Sequence, residues 1–100
     1  MHLGDYVYVS DTDTQSLDDY RDAYRRWRRQ PYLRDLHAAL PVVAMWDDGE
    51  FYNGVDATGD PQRLEHAKQA WFESFPLLDP GGRRAHRRFS WGDLADVSMI

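Results

Sequence analysis

Pro41-Val42-Val43-Ala44-Met45-Trp46-Asp47-Asp48-Gly49-Glu50-Phe51-Tyr52-Asn53 is the stretch that decides the fold of this chain. Its first six residues form an unbroken apolar run of strand length, without the alternation of a half-exposed strand. That pattern suits a strand buried on both faces, as in an α/β sheet. The acids that follow then sit at the rim of the sheet, where a carboxylate is held in place without being buried alone. Asp48-Gly49, flanked by Trp46 and Phe51-Tyr52, is equally the signature of a type I′ hairpin, and local turn chemistry favours it. Adjacent carboxylates repel, however, and a cation that neutralises one of them relieves the repulsion. Asn53 offers an amide oxygen to the same cation, or a cap for the turn.

A second acidic motif opens the chain. His2-Leu3-Gly4-Asp5-Tyr6-Val7-Tyr8 begins a strand expected over residues 2–9, with Asp5 placed by the turn-forming Gly4. Two rims of this kind, brought together, offer hard oxygen ligands to a divalent or trivalent cation. A Gly-Asp pair after a strand is, taken alone, most often a plain turn, and a strand Tyr such as Tyr8 usually packs.

Between and beyond these motifs the elements are punctuated clearly. Ser16-Leu17-Asp18-Asp19 has the capping-box spacing, and Leu17, Tyr20, Tyr24 and Trp27 then follow on one helical face. Pro31 opens a second helix with a stripe of Leu33, Leu36 and Leu40. Asp60-Pro61 starts a third, with Leu64, Ala67, Trp71 and Phe75 on one face, ended by Pro76 and Pro80-Gly81-Gly82. Residues 84–91 and 94–100 read as two strands joined near Trp91-Gly92-Asp93. The order is β-α-α-β-α-β-β, an α/β arrangement whose first half implies a parallel crossover.

Composition narrows the function classes. The 100 residues make one domain or part of one, with 14% aromatics and a capacity for a modest core. Without cysteine there is no disulfide framework and no thiolate metal site. No run approaches a membrane span, and no signal-peptide pattern is visible in these residues. A net charge of −5 argues against nucleic acid as the main partner. The Arg25, Arg26, Arg28, Arg29 cluster and the Arg83, Arg84, Arg87, Arg88 cluster could meet an anionic partner, but such runs are usually solvated faces. His2, His37, His66 and His86 show no metal-ligand spacing and are expected to be structural or solvated. Strand-like residues at both ends read as the cut edges of an internal piece of a larger protein. A sheet cut in this way exposes strand edges and should be only marginally stable.

Taken in order, the segments resemble the PhoD-like alkaline phosphatases. His2-Leu3-Gly4-Asp5-Tyr6-Val7-Tyr8 resembles the family's second metal motif. Leu17-Asp18-Asp19-Tyr20-Arg21 with Tyr24, then Leu33-x-x-Leu36-His37-Ala38-Ala39-Leu40-Pro41, follow as in the family. Trp46-Asp47-Asp48-Gly49-Glu50 with Asn53 is similar to its Trp-Asp-Asp-His-Glu motif. Ala70-Trp71-Phe72-Glu73-Ser74-Phe75-Pro76 and Phe89-x-Trp91-Gly92-Asp93-Leu94-Ala95-Asp96-Val97 complete a resemblance over essentially the whole chain.

The resemblance implies part of a metallophosphoesterase-type α/β sandwich of the calcineurin-like kind, residues 1–100 being a single partial domain whose partner is the rest of the parent. It implies a parent enzyme hydrolysing phosphate monoesters and diesters, and an iron and calcium site, other divalent cations being alternatives. By position, Asp5 is the implied bridging carboxylate and Tyr8 the phenolate ligand on iron, with Asp48 and Asn53 lining the second motif. Family members are often secreted or periplasmic. The sequence departs from the pattern where the family's His is Gly49, which leaves no catalytic residue to assign, and the family's other metal motifs are not among these residues. The expectation is therefore a phosphoesterase piece inactive alone, with a degenerate, non-catalytic binding or structural module of the same fold as the alternative.

Overall fold

A computed structural model gives the fold of the chain and describes residues 1–77 and 81–100. Helix α1 spans Leu17–Arg28. The Ser16 hydroxyl accepts from the Asp19 backbone N–H at 3.3 Å, and the Asp19 carboxylate accepts from the Ser16 N–H at 2.8 Å. The expected capping box is thus in place. Tyr20, Ala23 and Tyr24 form the buried face, flanked by Leu17 and Trp27.

Helix α2, Pro31–Ala39, starts on its proline. Leu33 packs on the core, but Leu36 is 41% and Leu40 57% exposed, so only the first residue of the expected stripe is used. Helix α3, Pro61–Ser74, begins with Asp60 accepting from the Gln62 N–H at 2.9 Å. Ala67, Ala70 and Trp71 bury its apolar face, and Phe75 caps its end just before Pro76. Pro80, expected to help end this helix, lies outside the described residues.

Helices α1 and α3 pack together and are tied at the rim by a fork from Arg21 to Glu73, with both N···O distances 2.8 Å. The guanidinium of Arg28 reaches the Ser74 carbonyl and lies 5.1 Å from the Phe75 ring centre. The core between them is aromatic: Tyr6, Tyr24, Trp71 and Phe75 meet edge-on, stacked or tilted at 5.1–6.4 Å.

The two C-terminal strands expected over residues 84–91 and 94–100 are present in shorter form and make a hairpin. Strand β1, Arg87–Trp91, pairs antiparallel with β2, Ala95–Met99, Phe89 standing opposite Val97. Gly92 takes the left-handed conformation (φ 55°) that this turn demands. Arg87 reaches from the hairpin to the Ala44 carbonyl.

Elsewhere the sheet differs from expectation. The strands predicted over residues 2–9 and 41–46 reduce to one parallel bridge between His2 and Ala44. It is closed by His2 N–H to the Val43 carbonyl at 2.8 Å and Met45 N–H to the His2 carbonyl at 2.9 Å. Gly4 (φ 113°) and Asp5 (φ 58°) both leave the extended region, so the first strand ends almost as it begins. The chain after Trp46 turns into a short 3₁₀ helix, Asp48–Glu50, in place of a type I′ hairpin. The parallel direction of the crossover is present; an extended ladder is not.

Candidate metal centre

The bend at Gly4-Asp5 aims the first acidic motif at the second. A Cβ on Gly4 would lie 2.4 Å from the Asp47 Cβ and 2.7 Å from its backbone nitrogen, so only glycine allows the two segments to approach. Asp5 adopts the left-handed conformation, which Asp tolerates better than most residues. Its carboxylate accepts the Tyr8 hydroxyl at 2.7 Å and the Gly49 N–H at 3.3 Å.

Glu50 holds the two motifs together. It is 1% exposed and accepts the backbone N–H groups of Asp5 at 3.0 Å, of Asp47 at 2.8 Å, and of Tyr6. Burial pushes the Glu50 carboxyl pKa up, against the pull of these backbone donors. With Asp47 as N-cap, the Asp47-x-x-Glu50 spacing makes a capping box around the 3₁₀ turn. Glu50 was missed as a site residue, although this spacing is readable in the sequence.

One oxygen from each of Asp5, Asp47 and Asp48 lies within 4.8 Å of the others. Asp47 also accepts the Asp48 N–H at 2.9 Å, and Asp48 accepts the Gly54 N–H at 2.7 Å. The fold thus brings together Asp5 and Asp48, two residues of the expected ligand set, and with them Asp47, which that set left out. Tyr8 joins them through Asp5. Its pKa is raised, first by the hydrogen bond to the Asp5 carboxylate, then by desolvation and by the charges of Asp5, Asp48 and Glu50. Asn53 is exposed, and its backbone N–H donates to Asp11 at 2.9 Å.

Gly49 faces the same cluster. A Cβ there would lie 2.7 Å from Asp5 Oδ1 and 3.4 Å from Tyr8 Cδ1. Two of the histidines are engaged elsewhere: His37 Nε2 is 2.8 Å from the Tyr6 hydroxyl, and His66 Nδ1 is 3.1 Å from the Gln15 carbonyl. The donor set is all oxygen, which fits a hard cation such as calcium, magnesium or ferric iron better than a soft one.

Comparison with known proteins points the same way. A family model described as PhoD-like phosphatase matches residues 1–100. Alkaline phosphatase D of Bacillus subtilis (strain 168) is 31% identical over 129 residues, an alignment covering 99% of this chain and 22% of that protein. The aligned stretch is longer than the chain, so the relative carries residues there that this chain does without. A solved structure titled "Structure of PhoD" is similar with a TM-score of 0.81 and 31% identity, covering 97% of this chain and 24% of that one. The chain thus spans about a quarter or less of the length of these relatives.

Proposed function

Because the chain belongs to the PhoD-like phosphatase family, we propose that it supplies part of the metal site of a phosphoesterase. The observation that carries this is the convergence of Asp5, Asp47 and Asp48 within 4.8 Å, with Tyr8 hydrogen-bonded to Asp5. Three carboxylates this close repel one another, and a bound cation turns that repulsion into coordination. Asp5, Asp47 and Asp48 are the proposed carboxylate ligands, and Tyr8 supplies a phenol that a trivalent cation would deprotonate. Asn53 is carried as a proposed amide ligand by its position in the motif. Iron and calcium are the cations proposed, with other divalent ions as substitutes. A cation held by these residues would supply polarisation of a phosphoryl oxygen and activation of water. The chain's own contribution is to fix the carboxylates through Glu50 and to present Tyr8.

Activity of the isolated 100 residues is expected to be negligible. A half-built ligand set orients a metal poorly. Gly49 also offers no group to protonate a leaving oxygen, a loss that typically costs about 10²–10⁴-fold. Calorimetric titration with calcium, magnesium and ferric iron tests the site: binding that Asp5→Asn weakens supports it, and equal heats for both proteins reject it. Metal-dependent hydrolysis of 4-nitrophenyl phosphate by the chain, abolished by Asp5→Ala, would overturn the expected inactivity.

The geometry at Gly49 keeps a second reading in play, a non-catalytic module of the same fold. A Cβ at Gly49 would lie 2.7 Å from Asp5 Oδ1, so a side chain there requires that carboxylate to shift. Gly49→His in a longer protein containing these residues separates the two. A sharp rise in hydrolysis marks an enzyme short of one group, and an unchanged rate marks a binding module.

A further inference from the structure

Arg63 is a buried cation set where the fold disfavours one. It is 9% exposed and stands in the first turn of α3, where the helix dipole already carries positive charge. Among the described residues no carboxylate makes an ion pair with it. Burying a guanidinium without a counter-charge is costly, and its hydrogen bonds and the ring against it offset that cost. Its Nε donates to the Tyr20 hydroxyl at 3.2 Å, one Nη donates to the Ser10 carbonyl at 3.1 Å, and its Cζ lies 4.1 Å from the Tyr52 ring centre.

Each of these three contacts leads to the segment 51–54. The Tyr20 hydroxyl donates onward to the Phe51 carbonyl at 2.6 Å. Tyr52 lies within the segment. Ser10 is bonded to Asp11, whose carboxylate accepts the Asn53 N–H at 2.9 Å. The segment in turn closes on Asp48. The Phe51 and Tyr52 N–H groups donate to the Asp48 carbonyl at 2.8 and 2.9 Å, and the Gly54 N–H donates to its carboxylate at 2.7 Å.

The geometry points to Arg63 as a positioning residue of the carboxylate cluster: it braces residues 51–54 through Tyr20, Tyr52 and Ser10-Asp11, and so sets the direction of the Asp48 carboxylate. This rests on the metal reading above and extends it to a residue outside both acidic motifs. The hydrogen bonds of Arg63 end on Tyr20 and Ser10, not on a proposed ligand, so its effect is exerted through the segment. A carboxylate already held in one direction loses less freedom when it takes up a cation, which is how groups behind the ligands raise affinity. Lysine is a poor substitute at this position. A point charge on a flexible stem cannot reach two acceptors in a fixed fork while lying flat on a ring.

The test uses the 100-residue chain, with backbone amide NMR in the absence of metal and calorimetric titration with calcium. The Gly54 amide proton, donating to a carboxylate, should resonate downfield and exchange slowly in the native chain. Arg63→Lys should move it upfield, speed its exchange and weaken calcium binding about tenfold, the lower end for groups that orient ligands. Tyr20→Phe removes one oxygen, keeps the ring in the core and should shift both readouts the same way by less; it decides the matter if Arg63→Lys fails to fold. Arg28→Ala is the control for plain loss of stability. Its contacts are the Ser74 carbonyl and the Phe75 ring, so it should lower the melting temperature and leave the Gly54 amide and the calcium affinity unchanged. An unmoved Gly54 amide in the folded variants, or an equal loss of calcium affinity in Arg28→Ala, overturns the positioning role. The metal reading is scored separately. Calcium binding that Asp5→Asn abolishes and Arg63→Lys leaves at the native level removes the positioning role alone. No calcium binding by the native chain, with the Gly54 amide still displaced in Arg63→Lys, removes the metal site alone.

Discussion

Glu50 joins segments 44 residues apart in sequence, and its removal should be felt in both. Glu50→Ala strands three backbone N–H groups, two of them otherwise fixing Asp5 and Asp47. The Tyr6 N–H is buried and the other two are part-buried; an unmet buried donor costs about 1–3 kcal/mol, so a loss of about that size is expected in urea denaturation. Glu50→Gln keeps the shape and an acceptor oxygen and should cost less. It should still weaken cation binding by about 10–100-fold, the range for groups that orient ligands, as read by calorimetry. Gly4→Ala makes a different point. A Cβ 2.4 Å from that of Asp47, at φ 113°, pushes the two motifs apart, so this variant should lose both stability and cation binding.

At the scale of elements, the helices are held by ties that differ in their response to pH. The Glu73 carboxyl is pulled from 4.5 down to about 2, first by the Arg21 guanidinium and then by Gln69. A depressed acid stabilises the fold fully above its ordinary pKa and loses that stabilisation as pH falls toward the folded value. The α1–α3 tie should therefore fade between pH 4.5 and about 2, an effect that Glu73→Gln removes from the pH profile of thermal unfolding. The pair is largely solvated, so it is worth no more than about 1 kcal/mol. Helix α2 responds in a higher range. Its His37 shares a 2.8 Å hydrogen bond with the Tyr6 hydroxyl, and burial, then the charges of Arg28 and His2, hold its pKa below 6.5. That stabilisation is complete above pH 6.5 and declines as pH falls through the lowered value. Hydrogen-exchange protection in α2 should fall there ahead of protection in α3, and His37→Gln should flatten the difference. These helix starts were readable from the sequence because their signals are local: Ser16 with Asp19, Pro31, and Asp60 with Pro61. The hairpin around Gly92 was readable for the same reason. The strands at residues 2–9 and 41–46 were misjudged because Gly4 and Asp5 turn left-handed only where Asp47 presses against them. The turn at Asp48-Gly49 was misjudged because Glu50, a residue from its own segment, is claimed by Asp5 and Tyr6 across the chain. Asp5, Tyr8 and Asp48 were singled out through motif resemblance, and the fold brings them close together; spacing alone does not carry that tertiary proximity.

Across the whole molecule, apolar residues remain at the surface: Leu3 at 72%, Tyr32 at 78%, Trp91 at 71% and Leu94 at 87% exposed. No helix among the described residues is long and apolar enough to cross a membrane. Exposed apolar side chains on α2 and on the hairpin should drive concentration-dependent self-association, which light scattering would register and Leu94→Lys should reduce. A cation bound only by the folded chain should oppose unfolding, by about 2.7 kcal/mol at a hundred times its dissociation constant. A melting temperature that rises with calcium in the native chain and stays fixed in Asp5→Asn is the expected result. The aromatic packing also makes that binding visible by optical means. Trp46 and Trp71 meet at 4.9 Å with their planes 67° apart, and Trp46 is bonded directly to Asp47. Two indoles so close and so inclined couple their electronic transitions, which gives a paired band of opposite sign in circular dichroism. A cation that drew in Asp47 should tilt one indole against the other, so the Trp46–Trp71 pair is expected to act as a built-in chromophore pair reporting on the acidic cluster.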